Sequence, residues 1–303
     1  MSTTTVGVVG LGKMGGNMAK HLLDEGFELT GHDVAPAARD AFGDYGGTVA
    51  DSAREVARES DVTVTSLPNS EIVTGVYTGD GGLVADDVET IFLEMSTIAP
   101  PTTAVLADAV EGTPSDLLDA PITGGPENSR DGTLTGLVGG EEAVFESEAA
   151  QDVLTALCAE VHYAGSSGAG HAMKLLNNTM SMGNLLLAME TVVLGSRYGI
   201  ESERLWEILG NASATSVAFE SRMPRVLDRD FEAGFTIDFA RKDVGLAVEM
   251  ADAEDYSMLL GNVIHRLYTQ ASDEGFGEED VGAVVKLFER ELEDRVGGST
   301  DAE

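Results

Sequence analysis

Three glycines separate a strand pattern from a helix pattern near the start of the chain. The segment 6–9 is β-branched and apolar around a single glycine, which is typical of a buried parallel strand. Beyond the glycines at positions 10, 12 and 15, apolar residues recur every four positions over the segment 14–22, which predicts a helix. A strand, a glycine turn and a helix in this order predict the first unit of a doubly wound α/β domain.

Each glycine has a physical role if the turn binds a dinucleotide. Gly10 permits the tight turn, Gly12 lets the backbone approach a pyrophosphate, and Gly15 allows helix and strand to pack closely. The first helical turn offers N–H groups and a positive dipole end to phosphates. A second strand pattern over 27–32 ends at Asp33, whose carboxylate would accept hydrogen bonds from the adenosine ribose. The predicted cofactor site comprises Gly10, Leu11, Gly12, Lys13, Met14, Gly15 and Asp33.

The residues around Asp33 favour NAD over NADP. A carboxylate at this position repels a 2′-phosphate, and the following segment Val34-Ala35-Pro36 offers no arginine to bind one. Arg39 is close enough in sequence to weaken this preference. NAD is therefore the predicted cofactor, with NADP as the less favoured alternative.

The balance of charge is strongly acidic. There are 53 Asp and Glu residues against 18 Lys and Arg residues, giving a formal net charge of −35. Because 43% of the residues are hydrophobic and the acidic residues lie within periodic segments, we expect a folded chain. An evenly acidic surface indicates a halophilic protein, since salt screens its self-repulsion. It argues against binding of nucleic acid, which requires basic patches.

Cysteine content and the N-terminal sequence favour a reducing compartment. Cys158 is the only cysteine, so no intramolecular disulfide can form. The opening MSTTT carries no basic residue and leads directly into a strand pattern, unlike a signal peptide. Apolar runs are shorter than the roughly 18 residues that a membrane span needs. We therefore predict a cytoplasmic protein that does not interact with a membrane.

Strand and helix patterns alternate through the first half of the chain. The strand candidates are residues 61–68, 90–97, 116–123 and 134–140, and the helix candidates are 52–60 and 100–110. Such alternation predicts a mostly parallel sheet, with ligands bound at the carboxyl ends of its strands. The candidate site residues are therefore Leu67-Pro68, Ser96-Thr97 and Thr123-Gly124.

The second half of the chain reads as helical throughout. A small-residue segment at 162–170 leads into a long helix, whose apolar residues surround it from Leu185 to Leu194. We expect that part to be buried on nearly all sides, in a core or in the interface of a homodimer or homotetramer. The predicted organisation is a Rossmann-type domain at 1–164, a helical substrate and oligomerisation domain at 165–296, and a disordered tail at 297–303.

Lys174 is one of only five lysines and lies near the start of the long helix. His171, Lys174 and Asn178 are spaced by three and four residues, so they share one helix face. Snorkelling to the surface is the alternative explanation for a lysine on an apolar helix. Because surface lysines are nearly absent, we favour a general acid/base that exchanges a proton during hydride transfer. For His171 a hydrogen bond at the helix start is favoured over a catalytic role.

Several segments, taken in order, resemble the β-hydroxyacid dehydrogenase family, and within it the 3-hydroxyisobutyrate dehydrogenase branch. They are GLGKMGGNMAKHLL, HDVAP, SLPNSEIVTGVYTG, EMSTIAP, DAPITGGPENSRDGTLTGLVGG, GAGHAMKLLNN and FARKDVGLA. The resemblance implies an α/β Rossmann-type domain followed by an all-helical domain. It also implies an NAD-dependent oxidoreductase that interconverts a short 3-hydroxy acid, such as 3-hydroxyisobutyrate, and its semialdehyde.

The resemblance also implies roles for individual residues. Lys174 is the general acid/base, and Asn178 is a substrate-binding amide. Thr123 and the backbone of Gly124 and Gly125 hold the substrate carboxylate. Further residues expected near the closed site are Lys242, which serves both substrate and cofactor, and Asp243. No metal is implied, and the neighbours His32 and Asp33 have no further ligands at suitable spacing.

The chain departs from the family pattern at several positions. Thr123 stands where serine is usual, which keeps the hydroxyl but narrows the pocket. The segment 127–129, Glu-Asn-Ser, replaces Gly and Ala, and its added carboxylate disfavours dianionic substrates. Asn17 and His21 are expected to have little consequence. The segment KLLNN differs from the Lys…His-Asn pattern of 6-phosphogluconate dehydrogenases.

Three alternatives remain open from the sequence. One is a tartronate-semialdehyde, glyoxylate or succinate-semialdehyde reductase of the same family. Another is a non-catalytic dinucleotide-binding module, and the third is an imine reductase, in which the lysine position should be replaced. The presence of Lys174 and Asn178 disfavours the last two.

Overall fold

The computed structural model describes residues 4–85, 87–232, 234–292 and 296–297. The chain divides into two compact units, Met1–Lys174 and Leu175–Glu303. Apart from Gly297, the tail predicted to be disordered lies outside the described residues.

Nine strands of the described residues form one sheet, which lies in the first unit. They are β1 (Thr5–Val9), β2 (Glu28–His32), β3 (Thr48–Val49), β4 (Val62–Thr65), β5 (Ile91–Glu94), β6 (Asp116–Asp119), β7 (Ile122–Thr123), β8 (Leu134–Gly140) and β9 (Cys158–Gly165). Their order is β3-β2-β1-β4-β5-β6-β8-β7, and β9 also pairs with β8. The pairs from β3 to β6 and the pair β8–β9 are parallel, whereas β8 runs antiparallel to β6 and β7. The predicted mostly parallel sheet is confirmed.

Two strand predictions differ from the structure. The strand predicted at 116–123 is interrupted between β6 and β7, at Ala120 and Pro121, because proline has no N–H to donate to a ladder. The sequence does not predict β9, since most of its side chains are exposed and it carries no continuous apolar run.

Eight helices of the described residues accompany this sheet. They are α1 (Lys13–Asp24), α2 (Pro36–Asp44), α3 (Ala53–Arg58), α4 (Ser70–Thr78), α5 (Pro100–Val110), α6 (Pro126–Asp131), α7 (Glu142–Phe145) and α8 (Glu148–Leu157). One core lies between the sheet and helices α1 and α8, with Met18 and Val153 among its buried residues. The other includes α3, α4 and α5, with Val56, Tyr77 and Leu106. Burial on both faces explains the near-continuous apolar runs of the central strands.

The parallel strands define the edge of the sheet where a ligand is expected. Since β1, β2, β4, β5 and β6 run in the same direction, their carboxyl ends lie along one edge. The strand order reverses between β1 and β4, and ligands of open α/β sheets bind in the crevice at such a point.

The second unit is helical, as predicted. Its helices are α9 (Ala169–Arg197, which begins in the first unit), α10 (Ser202–Gly210), α11 (Val217–Leu227), α12 (Ile237–Ala253), α13 (Leu259–Ala271) and α14 (Val285–Leu292). A kinked segment, Ser272–Phe276, in which Gly275 has a φ of +93°, and a 3₁₀ segment, Val281–Val284, lie between the last two helices. Its core buries Met189, Phe219, Val244 and Tyr268.

Helix α9 is buried within the chain on all sides but one. Leu185, Met189 and Val192 are fully buried, but Leu187 is 64% exposed and Leu194 is 56% exposed. Within the described residues of one chain this side of the helix is exposed, and its predicted burial in an interface of a homodimer or homotetramer stays a prediction. Among the described residues, no helix is long and apolar enough to cross a membrane.

Candidate active site

The glycine turn between β1 and α1 depends on close backbone contacts. Gly10 has a φ of +92°, and a Cβ built on it would lie 2.3 Å from the Ser66 carbonyl oxygen. A Cβ on Gly15 would lie 1.9 Å from the carbonyl oxygen of Gly10. Both positions therefore require glycine, for the turn and for the approach of α1 to the strand.

Gly12 is different because packing does not explain it. No described atom lies within 4 Å of a Cβ built on Gly12, the N-cap residue of α1. As a glycine it has no side chain to cap the helix, and the N-terminus of α1 is a favourable place for an anion. Space beside Gly12 and a helix N-terminus together fit the pyrophosphate of a dinucleotide.

Asp33 lies beside this turn, at the end of β2. Its Oδ2 accepts a 2.7 Å hydrogen bond from the Leu11 N–H, and its Oδ1 accepts one of 2.7 Å from the Ala35 N–H. Arg39 Nη1 donates to the Asp33 carbonyl oxygen at 2.5 Å. The carboxylate thus has a fixed position, with lone pairs left for ribose hydroxyls. The guanidinium of Arg39 is bound to the backbone of the same residue.

The segments after β4 and β5 are tied together by a buried hydrogen-bond chain. Leu67 N–H donates to Ser96 Oγ at 2.8 Å, and Ser96 N–H donates to Glu94 Oε1 at 2.7 Å. Thr65 Oγ1 donates to Glu94 Oε2 at 2.5 Å and lies 3.0 Å from the Tyr77 hydroxyl. These hydrogen bonds fix the backbone of Leu67, which precedes Pro68, and of Ser96, which precedes the half-buried Thr97.

Glu94 is a residue that the sequence analysis did not single out. It is fully buried, and burial raises its pKa from 4.5 to about 7. Burial also raises the pKa of Tyr77, and the nearby Glu94 adds to that rise. One partner of Glu94, Ser96, lies two residues along the chain, but another, Thr65, lies 29 residues away on a neighbouring strand, so no local pattern marks Glu94.

The loop after β7 is fixed by its own side chains. Thr123 is half-buried at the end of β7, and Gly124 has a φ of +123°. Gly125 N–H donates to Asn128 Oδ1 at 3.0 Å, and Asn128 Nδ2 donates to Thr133 Oγ1 at 3.1 Å. The N–H of Gly125, predicted to contribute to carboxylate binding, is therefore already engaged by a side chain.

The two α1 residues expected to have little consequence both make tertiary contacts. Asn17 Nδ2 donates to the carbonyl oxygen of Pro126 at 3.0 Å, which ties α1 to the loop after β7. His21 Nε2 lies 3.0 Å from the carbonyl oxygen of Ala156, at the end of α8. Both contacts link α1 to segments more than a hundred residues away.

Lys174 lies in the second turn of α9 and is 8% exposed. Its burial is inconsistent with a lysine whose head snorkels to the surface. Asn178 follows one turn later on the same helix and is 7% exposed. A buried cation and a buried amide one turn apart can contact the same oxygen atom or adjacent atoms of one ligand.

In the second unit, Asn178 is bound to Asp243 of α12. Asn178 Nδ2 donates to Asp243 Oδ2 at 2.7 Å, and both side chains are buried. Lys242 Nζ lies 3.1 Å from Asp243 Oδ1 without hydrogen-bond geometry, so this contact is an ion pair only. Asn178 Oδ1 accepts from Asn177 Nδ2 at 3.1 Å. One N–H of the Asn178 amide remains available for a ligand.

The predicted site residues thus fall into two groups. The first unit contains the glycine turn, Asp33, Leu67, Pro68, Thr97, Thr123, Gly124, Gly125 and Lys174, and the second contains Asn178, Lys242 and Asp243. Most of the first group lies at the carboxyl ends of parallel strands, and the second group forms one hydrogen-bonded and ion-paired cluster.

Two protein-family models match successive parts of the chain. Residues 5–165 match the family described as the NAD binding domain of 6-phosphogluconate dehydrogenase. Residues 168–288 match the family described as the NAD-binding domain of NADP-dependent 3-hydroxyisobutyrate dehydrogenase. The two matches together cover nearly all of both units.

Individual relatives agree over the same length. The chain is 35% identical to 2-(hydroxymethyl)glutarate dehydrogenase of Eubacterium barkeri, over 94% of this chain and 95% of the relative. It is 34% identical to the mitochondrial 3-hydroxyisobutyrate dehydrogenase of Drosophila melanogaster, over 94% of this chain and 90% of the relative. The chain belongs to the β-hydroxyacid dehydrogenase family.

A solved member of the family has the same fold. The structure of 3-hydroxyisobutyrate dehydrogenase from Mycobacterium tuberculosis with L-serine superposes with a TM-score of 0.87. It is 29% identical and covers 94% of this chain and 99% of its own. The predicted family, the fold class and an NAD-linked oxidoreductase are confirmed.

Proposed function

We propose that the protein is an NAD-dependent dehydrogenase that interconverts a short 3-hydroxy acid and its semialdehyde. The observation that carries this proposal is the buried Lys174, which shares α9 with the Asp243-bound amide of Asn178. A buried amine is placed to exchange a proton with a hydroxyl group, and a fixed amide is placed to orient that group.

The names of the relatives define the class of substrate. 2-(Hydroxymethyl)glutarate, 3-hydroxyisobutyrate and L-serine each carry a primary hydroxyl group on the carbon next to the one that bears a carboxylate. They differ only in one further substituent on the carbon that bears the carboxylate, which is a carboxyethyl, a methyl or an ammonium group, respectively. The exposed Glu127, at the start of α6, disfavours the second carboxylate, so 3-hydroxyisobutyrate is the leading candidate.

The residues of this chain act on the hydroxyl group and the carboxylate. Bound NAD supplies the acceptor for the hydride that leaves the hydroxyl-bearing carbon. Lys174, as the neutral amine, takes the hydroxyl proton. The carbon–hydrogen and oxygen–hydrogen bonds break, and the carbon–oxygen single bond becomes the double bond of the semialdehyde. The free N–H of Asn178 donates to the reacting oxygen. Thr123 and the backbone at Gly124 and Gly125 bind the carboxylate, and the N–H of Gly125 must first leave Asn128.

Two further residues act around this centre. Asp243 fixes the Asn178 amide, and Lys242 places a positive charge beside Asp243 for the anionic substrate and cofactor. The cofactor itself would bind along the glycine turn 10–15, with its ribose on Asp33 and its nicotinamide near Leu67, Pro68 and Thr97. The carboxylate of Asp33 supports NAD rather than NADP.

We also propose that the protein is a homodimer or homotetramer. Leu176, Met180, Leu187 and Leu194 are exposed and lie on one side of α9. On α13, Leu259, Leu260 and Val263 are exposed as well. Tyr268 of α13 donates to Met182 of α9, so the two helices are neighbours. We call these seven residues the apolar stripe.

The apolar stripe is poor in acidic residues. Helix α9 contains one acidic residue, Glu190, and α13 contains none, although the chain has 53. A surface that exposes leucines and carries a single acidic residue, the exposed Glu190, is suited to contact with a second copy. The many acidic residues elsewhere in the chain support the proposal that the protein works in a cytoplasm of high salt.

The change from a sheet to helices along the chain supports a division into a domain at residues 1–164 and a domain at residues 165–296.

An activity assay tests the proposed function. The protein is purified in molar KCl, and absorbance at 340 nm is followed with NAD or NADP and a panel of 3-hydroxy acids. We expect NAD-linked oxidation of 3-hydroxyisobutyrate that falls by about 10²- to 10⁴-fold in Lys174→Ala. The matched variant Lys174→Arg keeps the charge but cannot act as a base, so it should be equally inactive.

The other results of this assay are equally informative. Oxidation that survives in both variants would remove Lys174 from the mechanism. Activity with NADP alone would contradict the role given to Asp33. Tight NAD binding without oxidation of any panel member would favour the non-catalytic module, and faster turnover of glyoxylate or succinate semialdehyde would favour the reductase alternative.

A further inference from the structure

A buried carboxylate outside α9 holds the first turn of that helix. Asp119 is the last residue of β6 and is fully buried. Its Oδ1 accepts a 2.8 Å hydrogen bond from Gly168 N–H, and its Oδ2 accepts one of 3.0 Å from His171 N–H. The N–H groups at a helix start have no partner within the helix, so Asp119 satisfies two of them from a neighbouring strand.

Asp119 also supplies the charge that this helix start lacks. Helix α9 has no acidic residue in its own first turn. A carboxylate at a helix N-terminus interacts favourably with the helix dipole. Burial raises the pKa of Asp119, while the N–H groups of Gly168 and His171 oppose this rise by stabilising the ionised form.

Two glycines bring α9 close enough for this contact. A Cβ on Gly139 of β8 would lie 2.8 Å from both carboxylate oxygens of Asp119. A Cβ on Gly170 of α9 would lie 2.5 Å from the carbonyl oxygens of Asp119 and Leu137. The missing side chains therefore make room for the carboxylate and for the helix backbone.

A second anchor acts on the same turn. Thr103 of α5 is buried, and its Oγ1 lies 2.7 Å from His171 Nδ1. The same imidazole nitrogen lies 3.9 Å from Asp119 Oδ2. The first turn of α9 is thus held at two points. Its backbone N–H groups bind the Asp119 side chain of β6, and its His171 side chain contacts Thr103 of α5.

We infer that Asp119 is a positioning residue for Lys174, which it fixes through the backbone of the first turn of α9. Lys174 follows His171 by three residues, an axial rise of about 4.5 Å, and a regular helix transmits any displacement of its first turn. The inference rests on the proposed function, in which Lys174 exchanges the proton of the substrate hydroxyl group.

The negative charge of Asp119 gives the inference a specific signature. The Asp119 carboxylate binds the N–H of His171, three residues before Lys174, and a negative charge on this side favours an ammonium form over the neutral amine that oxidation requires. Removing that charge should therefore extend oxidation to lower pH. Loosened packing alone would lower the rate without moving the acidic limb of the pH profile in this direction.

The test compares two isosteric variants of the same strand. Asp119→Asn removes the buried charge and one hydrogen-bond acceptor, whereas Asp116→Asn removes an exposed charge of β6 and serves as the control. In Asp119→Asn we expect kcat to fall by about 10- to 100-fold, as for a misplacement of about 1 Å. The dissociation constant for NAD should stay within about twofold, since the glycine turn is untouched.

The same variant should change the pH dependence of the rate. We expect the acidic limb of its kcat profile to move to lower pH, with the profile of Asp116→Asn unchanged. If Asp119→Asn matches the control in kcat and in the position of this limb, the inference is overturned.

Two measurements keep the inference testable whatever the activity. Hydrogen exchange of the amides at 168–174 should be at least about tenfold faster in Asp119→Asn than in the control. Competitive acetylation, followed by mass spectrometry, reports on Lys174 among only five lysines, and its labelling should extend to lower pH. If the wild type oxidises no hydroxy acid, the proposed function fails while these two readouts still decide the inference.

A milder variant covers the case in which Asp119→Asn does not fold. Thr103→Val removes only the second anchor, the contact with His171. It should accelerate exchange at 168–174 and lower kcat in the same way to a smaller extent, without moving the acidic limb. Unchanged exchange in this variant would contradict the proposed clamp on the first turn.

Discussion

Asn178 and Asp243 form a buried pair in which the amide Nδ2 donates to the carboxylate Oδ2 at 2.7 Å. An ionised carboxylate can only accept hydrogen bonds, so it orients the amide with its N–H₂ group toward Asp243. The pair therefore determines which atoms of Asn178 a ligand meets. Lys242, at 3.1 Å from the other oxygen, keeps Asp243 near a positive charge.

Asp243→Asn should weaken substrate binding more than turnover. The neutral amide gives up a charge-assisted hydrogen bond worth about 1.5–3 kcal/mol and leaves Lys242 without its counter-charge. We expect KM for the hydroxy acid to rise by roughly tenfold. Steady-state kinetics would measure this, with the exposed Glu249→Gln of the same helix as the control. A variant with the wild-type KM would contradict the orienting role of Asp243.

Asp33→Asn should change the choice of cofactor. The substitution keeps an acceptor for Leu11 N–H but removes the charge that repels a 2′-phosphate. Arg39, bound to the carbonyl oxygen of Asp33, is then available to the phosphate. We expect the ratio of kcat/KM for NADP to that for NAD to rise at least about tenfold. Adding Arg39→Ala should cancel this gain, and an undiminished gain would exclude Arg39 as the phosphate ligand.

Local sequence patterns predict most of the fold but not its irregular parts. The glycine turn, the β-branched strands and the long helix α9 follow from residue type and spacing. Strand β9 could not be found this way because its side chains are mostly exposed, and the break at Pro121 is a single-residue effect. The exposed Leu187 and Leu194 resemble core leucines in sequence, since composition does not tell an interior from an uncovered surface.

The candidate site shows the same division. Gly10, Gly15 and Lys174 stand out in the sequence by motif or by scarcity. Asp119 gives no such signal, because the N–H groups it binds lie 49 and 52 residues away. Residues that act through such distant contacts become visible only when the strands and helices have been placed.

Glu94→Gln should be more stabilising at higher pH. The folded-state pKa of Glu94 is about 7, above its ordinary 4.5, so the folded protein binds this proton more tightly than the unfolded chain. The cost of ionising Glu94 is absent below about pH 4.5, grows up to about pH 7 and is then constant, at about 3 kcal/mol. Glutamine resembles the protonated acid and does not titrate.

Urea unfolding in molar KCl between pH 5 and pH 8 measures this difference. The free energy of unfolding of Glu94→Gln, relative to the wild type, should rise with pH up to about 7 and then level off. The exposed Glu89→Gln is the matched control and should show a flat difference. A difference that is independent of pH for Glu94→Gln would mean that this carboxyl group does not titrate in this range.

Leu187→Glu should dissociate the oligomer. The residue is 64% exposed in the apolar stripe, and a carboxylate there would be buried and repelled by its copy in a symmetric interface. Sedimentation in 2 M KCl should give a dimer or tetramer for the wild type and a smaller species for the variant. Val217→Glu, which replaces an 83% exposed valine on α11, should keep the wild-type mass because it lies outside the stripe. A monomeric wild type, or a Leu187→Glu variant of unchanged mass, would show that the stripe does not bind a second copy.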